Sequence, residues 1–493
     1  MNIVNINKRG GDKITSLKEL IEKNNLLNKI HFLLDNNAYE NVFLVGGAVR
    51  DLLIGKEIND YDFLVSEGSV SDIAKLLVNN LGGKFFFLKG ANYSSKTIRI
   101  IKEGLQIDIS EPKGSNLQED LLERDFTINS MAIRMSDGAL FDSAEGIRDL
   151  INKRIRLTSD LAFIKDPVRL IRAYRFVAEM NFQLDERTSI LIMEQAPLIS
   201  QVPSERVRDE IFKILALKNS ADVLYNLWKA GILKIIFPEL TLLEKVSAEP
   251  QRFHHLNGLE HSFEALRCLE RILLFKSPIW QDILEKLTYY LNHIIGGGRK
   301  NIQLLKLATL LHDVGKPITM KLDSNKTSFL NHDQEGSIIV EKIARRMRLS
   351  KSEIKELKHL VKNHMQPIFI PSENPEAHIL KFLSKTYPYT VNITLLSLAD
   401  RLSSRGQKIT LSYILERYKL YKKIIKTSLY YEPPKKLPLN GKEIMKLLNL
   451  EPGPTVGIAL KMLKGAMIRG EVKDEEDAKA FLLEKFNNLK IKK

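Results

Sequence analysis

The stretch from Leu44 to Val65, LVGGAVRDLLIGKEINDYDFLV, restricts what this chain can fold into more than any other. Phe43 to Val45 is a short aromatic and β-branched run that stops at Gly46-Gly47, and the pattern reads as strand, turn, strand. Paired glycines after a strand let backbone N–H groups come close to a phosphate chain. Arg50 can add a charge-assisted contact to the same anion. On the second strand Asp60 and Asp62 are two residues apart, so both carboxylates leave the same face. Two carboxylates that close repel one another unless cations lie between them, and Mg²⁺ favours such all-oxygen ligands together with phosphate. A glycine pair alone is usually a turn, and an isolated Asp-x-Asp is usually a solvated loop. Together, and in this order, they point to metal-assisted nucleotidyl transfer.

A chain of 493 residues exceeds one ordinary core and predicts two to four domains. Its 75 Lys+Arg against 60 Asp+Glu give a net charge of +15, which favours a polyanionic partner, nucleic acid before an anionic membrane surface. A lysine-rich genome would produce the same balance, so charge alone does not decide. Cys268 is the sole cysteine, which excludes an internal disulfide and a cysteine-based zinc site. No tripartite signal peptide and no apolar run of membrane-spanning length is evident, so the expected compartment is the cytoplasm, with no membrane partner.

Residues 1–37 read as an N-terminal extension with one amphipathic helix over Leu17 to Leu34. From Val42 to about Leu157, strand-like runs (FLVG, DFLV, KFFFLK, TIRII, LQIDIS, AIRM) alternate with helical segments. From Phe163 onward strand signals vanish, and leucine, isoleucine, lysine and glutamate recur at helical spacing. A further break falls near Glu432-Pro433-Pro434, before a short helical unit from Leu437. The expected fold class is multidomain α+β: a small sheet-bearing head followed by helical modules.

Three further segments extend the candidate site. Asp108 lies on the alternating strand QIDIS, where it can complete a three-carboxylate set with Asp60 and Asp62. In RDFTIN, Arg124 is placed to meet phosphate, Asp125 and Asn129 to meet a ribose or fix loops, and Thr127 to cap a helical turn. KDPVRLIRAYRF begins a helix with Pro167 in its first turn. There Arg169, Arg172 and Arg175 form a cationic ridge beside Leu170, Ala173 and Val177.

The ordered set LVGGAVRD, NDYDFLV, RDFTINSMA, DPVRLIRAYRF and SERVRDEI, over residues 42–240, closely resembles the class II CCA tRNA nucleotidyltransferase and bacterial poly(A) polymerase family. The resemblance implies a polymerase-beta-like nucleotidyltransferase head (38–160), a helical neck that binds RNA and nucleotide (161–245) and a helical tail (431–493). It implies that Asp60 and Asp62 hold two Mg²⁺ ions and that Gly46, Gly47, Arg50 and Arg124 cradle the triphosphate. Asp166 and Arg169 match the pair that reads the incoming base, with Arg172 beside them. Two positions depart from the family's pattern. Lys165 stands where glutamate is usual, and Glu123 replaces the first of a usual arginine pair.

A second constellation lies in the helical half: His261, His312-Asp313 and Asp400, the ligand types of a metal site built between helices. Gly315-Lys316 is expected to help bind an anion, and His332 and His364 to bind phosphate or a second metal. Over about residues 250–405 the pattern resembles the HD-domain metal-dependent phosphohydrolases, which implies an HD domain at 246–430 with a divalent metal of unspecified identity.

The leading expectation is an enzyme that adds CCA to tRNA 3′ ends from CTP and ATP, with an added phosphohydrolase activity. A CC-only or A-only enzyme competes closely, because only eight residues, ISEPKGSN, separate Asp108 from Leu117, where full CCA-adding relatives carry a longer loop. Two further activities are compatible with the same motifs: poly(A) polymerase, and an HD phosphohydrolase whose head only binds RNA.

Overall fold

The computed structural model describes residues 17–88, 97–246, 256–276, 278–323, 326–404, 411–432, 437–468, 471–472 and 474–490. The first sixteen residues of the expected extension, and the break at 433–436, lie outside them. The chain divides into two compact units, residues 1–210 with 226–236, and residues 211–225 with 237–493.

The first unit is built on one seven-stranded sheet. Its strands are β1 (Val42–Val45), β2 (Asp60–Val65), β3 (Lys84–Leu88), β4 (Thr97–Lys102), β5 (Leu105–Ser110), β6 (Ala132–Arg134) and β7 (Leu140–Phe141), in the spatial order β3-β4-β5-β2-β1-β6-β7. Each run singled out in the sequence forms one of the first six. All pairs are antiparallel except β2 and β5, which run parallel. β1 is an inner strand buried on both faces, as its unbroken VFLV requires. One sheet face packs on the helices Gly47–Leu53 and Val70–Leu81, covering Ile98 and Ile100. On the other face Phe43, Val45 and Leu64 pack against Leu121 of the helix Leu117–Leu122.

Several local expectations are corrected. The expected strand–turn–strand is strand, helix, strand, because seven residues from Gly47 to Leu53 form a helix before β2. The N-terminal amphipathic stretch is two helices, Leu17–Lys23 and Asn25–Asp35, divided where Asn24 caps the second through its side-chain oxygen. Thr127 caps nothing: it opens a 3₁₀ turn, and its hydroxyl donates to Asp149 at 2.6 Å. Pro167 precedes the helix, which runs from Arg169 to Met180. The arginines of the expected cationic ridge are engaged within the protein. Arg175 is buried between Glu210 and Glu179, whereas Val177 is only half-buried. The helical half also contains strand after all, a two-stranded ribbon of Lys321–Asp323 with Lys326–Ser328 and the short Gln183–Leu184 paired with Arg154–Ile155.

The second unit is helical. Around the histidines it is assembled from the helices Gly258–Leu273, Asn301–Leu311, His332–Arg346, Lys351–Asn363 and Thr390–Ser403, whose inward faces are leucine-, isoleucine- and alanine-rich. The tail helices Gly441–Leu448, Pro454–Ile468 and Glu475–Lys490 close on a small core of their own, with Ile444, Ala459, Leu463 and Leu482 buried in it. Among the described residues no helix is long and apolar enough to cross a membrane.

Candidate active site and metal centre

Strand register brings the head carboxylates together. Asp62 of β2 lies beside Asp108 of β5 on one side and Val45 of β1 on the other. Asp60, two residues earlier, shares the face of Asp62. Burial raises the pKa of Asp62, and the neighbouring Asp108 and Asp60 charges raise it further against the pull of Arg124 and Arg99. Such a cluster is short of positive charge. Arg99 of β4 partly supplies it through a two-point contact with Asp108 at 2.8 and 2.7 Å. Sequence reading passed over Arg99; its signal was a lone cation in the alternating run TIRII.

Gly46 ends β1 at φ +70°, a conformation that disfavours any side chain. A Cβ there would stand 2.6 Å from Arg124 Nη1 and 3.7 Å from Asp62 Oδ2, so backbone, arginine and carboxylate meet at one corner. Arg124 is aimed into that corner by Asp120, which accepts from its Nε and Nη2 at 3.0 and 2.9 Å. The other oxygen of Asp120 accepts from the Lys113 amide at 2.9 Å, tying the short connection after β5 to the same arginine. Asp120 was another residue the sequence did not reveal, although its place one helical turn before Arg124 was the available signal.

From this corner a chain of polar contacts runs outward. Arg50 is held by Asp51 and donates to Asn129 at 2.6 Å; Asn129 donates to Asp125 at 2.9 Å, and Arg172 reaches Asp125 at 2.9 Å. Burial opposes the charge on Asp125, yet Arg172 and Asn129 hold its pKa below the usual value. The guanidinium groups of Arg50, Arg172 and Arg175 gather over the Phe176 ring at 5.3, 5.4 and 4.4 Å from its centre. Asp125 and Asn129 thus link the segment RDFTIN to Arg50 and Arg172. Arg169 turns its guanidinium onto the carbonyl oxygens of Glu123, Arg124 and Ala162, and lies 4.0 Å from Asp166. Asp166 accepts from Arg206 through one oxygen, while the other is buried without a hydrogen-bond partner.

In the second unit four imidazoles converge on Asp313. The Nδ1 atoms of His312, His332 and His364 lie 2.8, 2.8 and 2.7 Å from the carbonyl oxygens of Thr309, Phe329 and Val361, which turns each Nε2 inward. His261 Nε2 is 3.0 Å from Asp400 and 3.5 Å from Asp313; His312 Nε2 is 3.2 Å from Asp313 and His332 Nε2 3.5 Å. Two ligand sets are close enough to share an ion, His261-His312-Asp400 and His312-Asp313-His364. Burial works against charge throughout, but Asp313 and Asp400 push His312 up to about 10, while burial and its imidazole neighbours hold His364 down at about 3. His312 Nε2 is buried with no hydrogen-bond partner. Imidazoles and buried carboxylates gathered this closely are the donor set of a divalent cation, which would take His312 as the deprotonated imidazole.

Gly315 and Lys316, for which an anion role is expected, both make close contacts within the protein. Lys316 Nζ is engaged by Asp313 at 2.5 Å, and Gly315 serves packing, since a Cβ there would lie 2.1 Å from the His332 carbonyl oxygen. That close approach is what brings His332 beside Asp313.

Comparison with known proteins agrees with this division. Residues 42–156 match the Poly A polymerase head domain, residues 181–243 the probable RNA and SrmB-binding site of polymerase A, and residues 259–405 the HD domain. An A-adding tRNA nucleotidyltransferase of Deinococcus radiodurans is 33% identical over 89% of this chain and 94% of its own. A CC-adding tRNA nucleotidyltransferase of Thermus thermophilus is 30% identical over 90% and 93%. Among solved structures, a Thermotoga maritima CCA-adding enzyme complexed with tRNA shares the fold at a TM-score of 0.60, with 23% identity over 96% of this chain and 98% of that one. With a relative this similar along almost the whole of both chains, the chain belongs to the tRNA nucleotidyltransferase and poly(A) polymerase family, in the form that carries an HD domain.

Proposed function

We propose that this protein adds nucleotides of the CCA end to tRNA, using CTP and ATP and no nucleic-acid template. The observation that carries the reading is the corner where Asp60, Asp62 and Asp108 stand on adjacent strands beside Gly46 and Arg124. Asp60 and Asp62 would hold Mg²⁺, with Asp108 completing the set, and the metal would supply charge neutralisation at the attacking and leaving oxygens. The chain's own groups do the rest. The backbone at Gly46 and Gly47 leaves room for a triphosphate, and Arg50 and Arg124, each held by an aspartate, offer fixed positive charge to it. Asp166 retains a buried acceptor oxygen, suited to the exocyclic amine that cytosine and adenine share, and Arg169 and Arg172 stand beside it.

A partial activity, CC-only or A-only, is the second reading, and one observation favours it. The eight residues after Asp108 form no long loop: Ser115 donates to Glu119, Lys113 to Asp120, and Asn116 caps the next helix. Two relatives matched over 89% and 90% of this chain are themselves named A-adding and CC-adding. For the HD domain we propose a phosphohydrolase centre with His261, His312, Asp313 and Asp400 as divalent-metal ligands, His332 and His364 completing the pocket. The division into extension (1–37), head (38–160), neck (161–245), HD domain (246–430) and tail (431–493) is kept as our reading, supported by the three family matches. A tRNA substrate and one buried cysteine suit a cytoplasmic setting.

The test is incubation with tRNAs ending at the discriminator base, at C and at CC, with Mg²⁺ and with CTP and ATP supplied separately. Addition of C, C and A in turn establishes the full activity. Stopping after CC, or extending only the CC-ended tRNA with A, establishes the partial one. No incorporation into any of them removes the proposal.

A further inference from the structure

The triphosphate corner and the open part of the sheet lie on opposite sides of the carboxylates. Gly46, Gly47, Arg50 and Arg124 are on the β1 side of β2; β5, β4 and β3 extend on the other. Cross-strand register lines up Asp62, Asp108, Arg99 and Phe86 in one row, with all four side chains on one face. The opposite face of β4 is filled by buried Ile98 and Ile100 under the helix Val70–Leu81. Among the described residues nothing covers the carboxylate face beyond β5 in this way: Phe86 is 49% exposed, Ile101 46% and Leu88 37%. Lys84 and Arg99 share this face with them.

Phosphoryl transfer is in line, so the attacking hydroxyl approaches opposite the departing pyrophosphate. With the pyrophosphate cradled on the β1 side, the RNA end must arrive over β5, β4 and β3. Phe86 is two strand spacings from Asp108, about 10 Å, which is within one or two nucleotides of the reacting hydroxyl. An exposed aromatic ring between two cations is what single-stranded RNA uses, base on ring and phosphate on cation.

We infer that Phe86 is a stacking platform for a base near the 3′ end of the RNA substrate, and that the β3–β4 face with Lys84 and Arg99 is the track along which that end enters. This rests on the proposed nucleotidyl transfer and adds to it the direction of approach and the residue that receives the RNA. Phe86 is a positioning residue for the RNA, with no part in nucleotide selection.

The test is steady-state kinetics with a tRNA transcript lacking CCA, comparing the wild type with Phe86→Ala, Phe86→Leu and Phe86→Trp. The expected result is a KM for tRNA raised about tenfold in Phe86→Ala, with kcat and the KM for CTP nearly unchanged. Phe86→Trp should restore the wild-type value, and Phe86→Leu should behave as Ala, since burial without a π-face does not stack. An unchanged KM for tRNA in Phe86→Ala, or full recovery by Leu, overturns the inference. So does a change confined to the sedimentation coefficient, which would make this face a contact between copies of the chain. If the wild type adds no nucleotide, the proposed function has failed instead, and filter binding of the same transcript to the same variants still decides the role of Phe86.

Discussion

Lys165 Nζ lies 2.5 Å from Glu123 Oε1, joining the two positions at which this chain departs from its family's motif pattern. An arginine and a glutamate are usual there; here a glutamate and a lysine occupy them with the charges exchanged. The two departures thus meet in one ion pair. It acts on the site through Arg169, which is held on the Glu123 and Arg124 carbonyl oxygens. Both side chains are nearly half exposed, so the pair contributes about 1 kcal/mol of stability at most. Its effect is on position. Glu123→Arg or Lys165→Glu alone places like charges together and should lower kcat/KM for the nucleotide roughly threefold to tenfold. The double variant should recover most of the loss, and a double-mutant cycle on the two nucleotides measures it. Additive losses would mean that the pair does not act as a unit.

Gly46 tests the corner itself. Gly46→Ala must strain a φ of +70° and displace Arg124 Nη1, which a Cβ would approach to 2.6 Å. A displacement of about 1 Å at a reacting centre costs on the order of 100-fold. That loss is expected in kcat, with circular dichroism unchanged, and near-normal turnover would show that the turn does not touch the triphosphate.

The two constellations should separate cleanly. Asp60→Ala is expected to lower nucleotide addition on the order of 10³-fold and to spare cleavage of bis(p-nitrophenyl) phosphate with added divalent metal. Asp313→Ala should do the reverse. Loss of both activities from one substitution, in a protein that melts normally, would contradict independent sites.

Glu356, which belongs to neither proposed site, supplies a pH dependence of its own. It is buried, accepts from Asn392 at 2.9 Å, and burial raises its pKa to about 7. A raised carboxyl pKa means that the folded protein binds the proton more tightly. The stability from that proton is complete below the unfolded value near 4.5 and is lost as pH rises through about 7. Glu356→Gln, neutral at every pH, should therefore melt higher than wild type at pH 8, by about 1–3 kcal/mol, and match it at pH 4.5. Thermal melts at the two pH values read this directly, and an equal shift at both would assign the effect to packing instead.

Much of the head was legible because its signals are local. The strand-like runs became β1 to β6, and the Asp60/Asp62 spacing put both carboxylates on one face whatever their neighbours. The His-Asp pair and its distant partners were recognisable by ligand type. Local signals also misled where a distant group competed. Thr127 looks like a cap until Asp149 takes its hydroxyl, and Arg175 looks like one tooth of a cationic ridge until Glu210 meets it inside the protein.

The sequence by itself determined the chemistry, because carboxylates, paired glycines and imidazoles carry their properties wherever they are placed. Only the tertiary structure decided which of them meet. The parallel pairing of β2 with β5 set Asp108 beside Asp62, and Asp120 turned Arg124 onto Gly46. The packing of Gly315 against His332 drew a fourth imidazole to Asp313. Strand order and helix packing are long-range choices, fixed by which apolar faces bury one another, and no short window of sequence contains them.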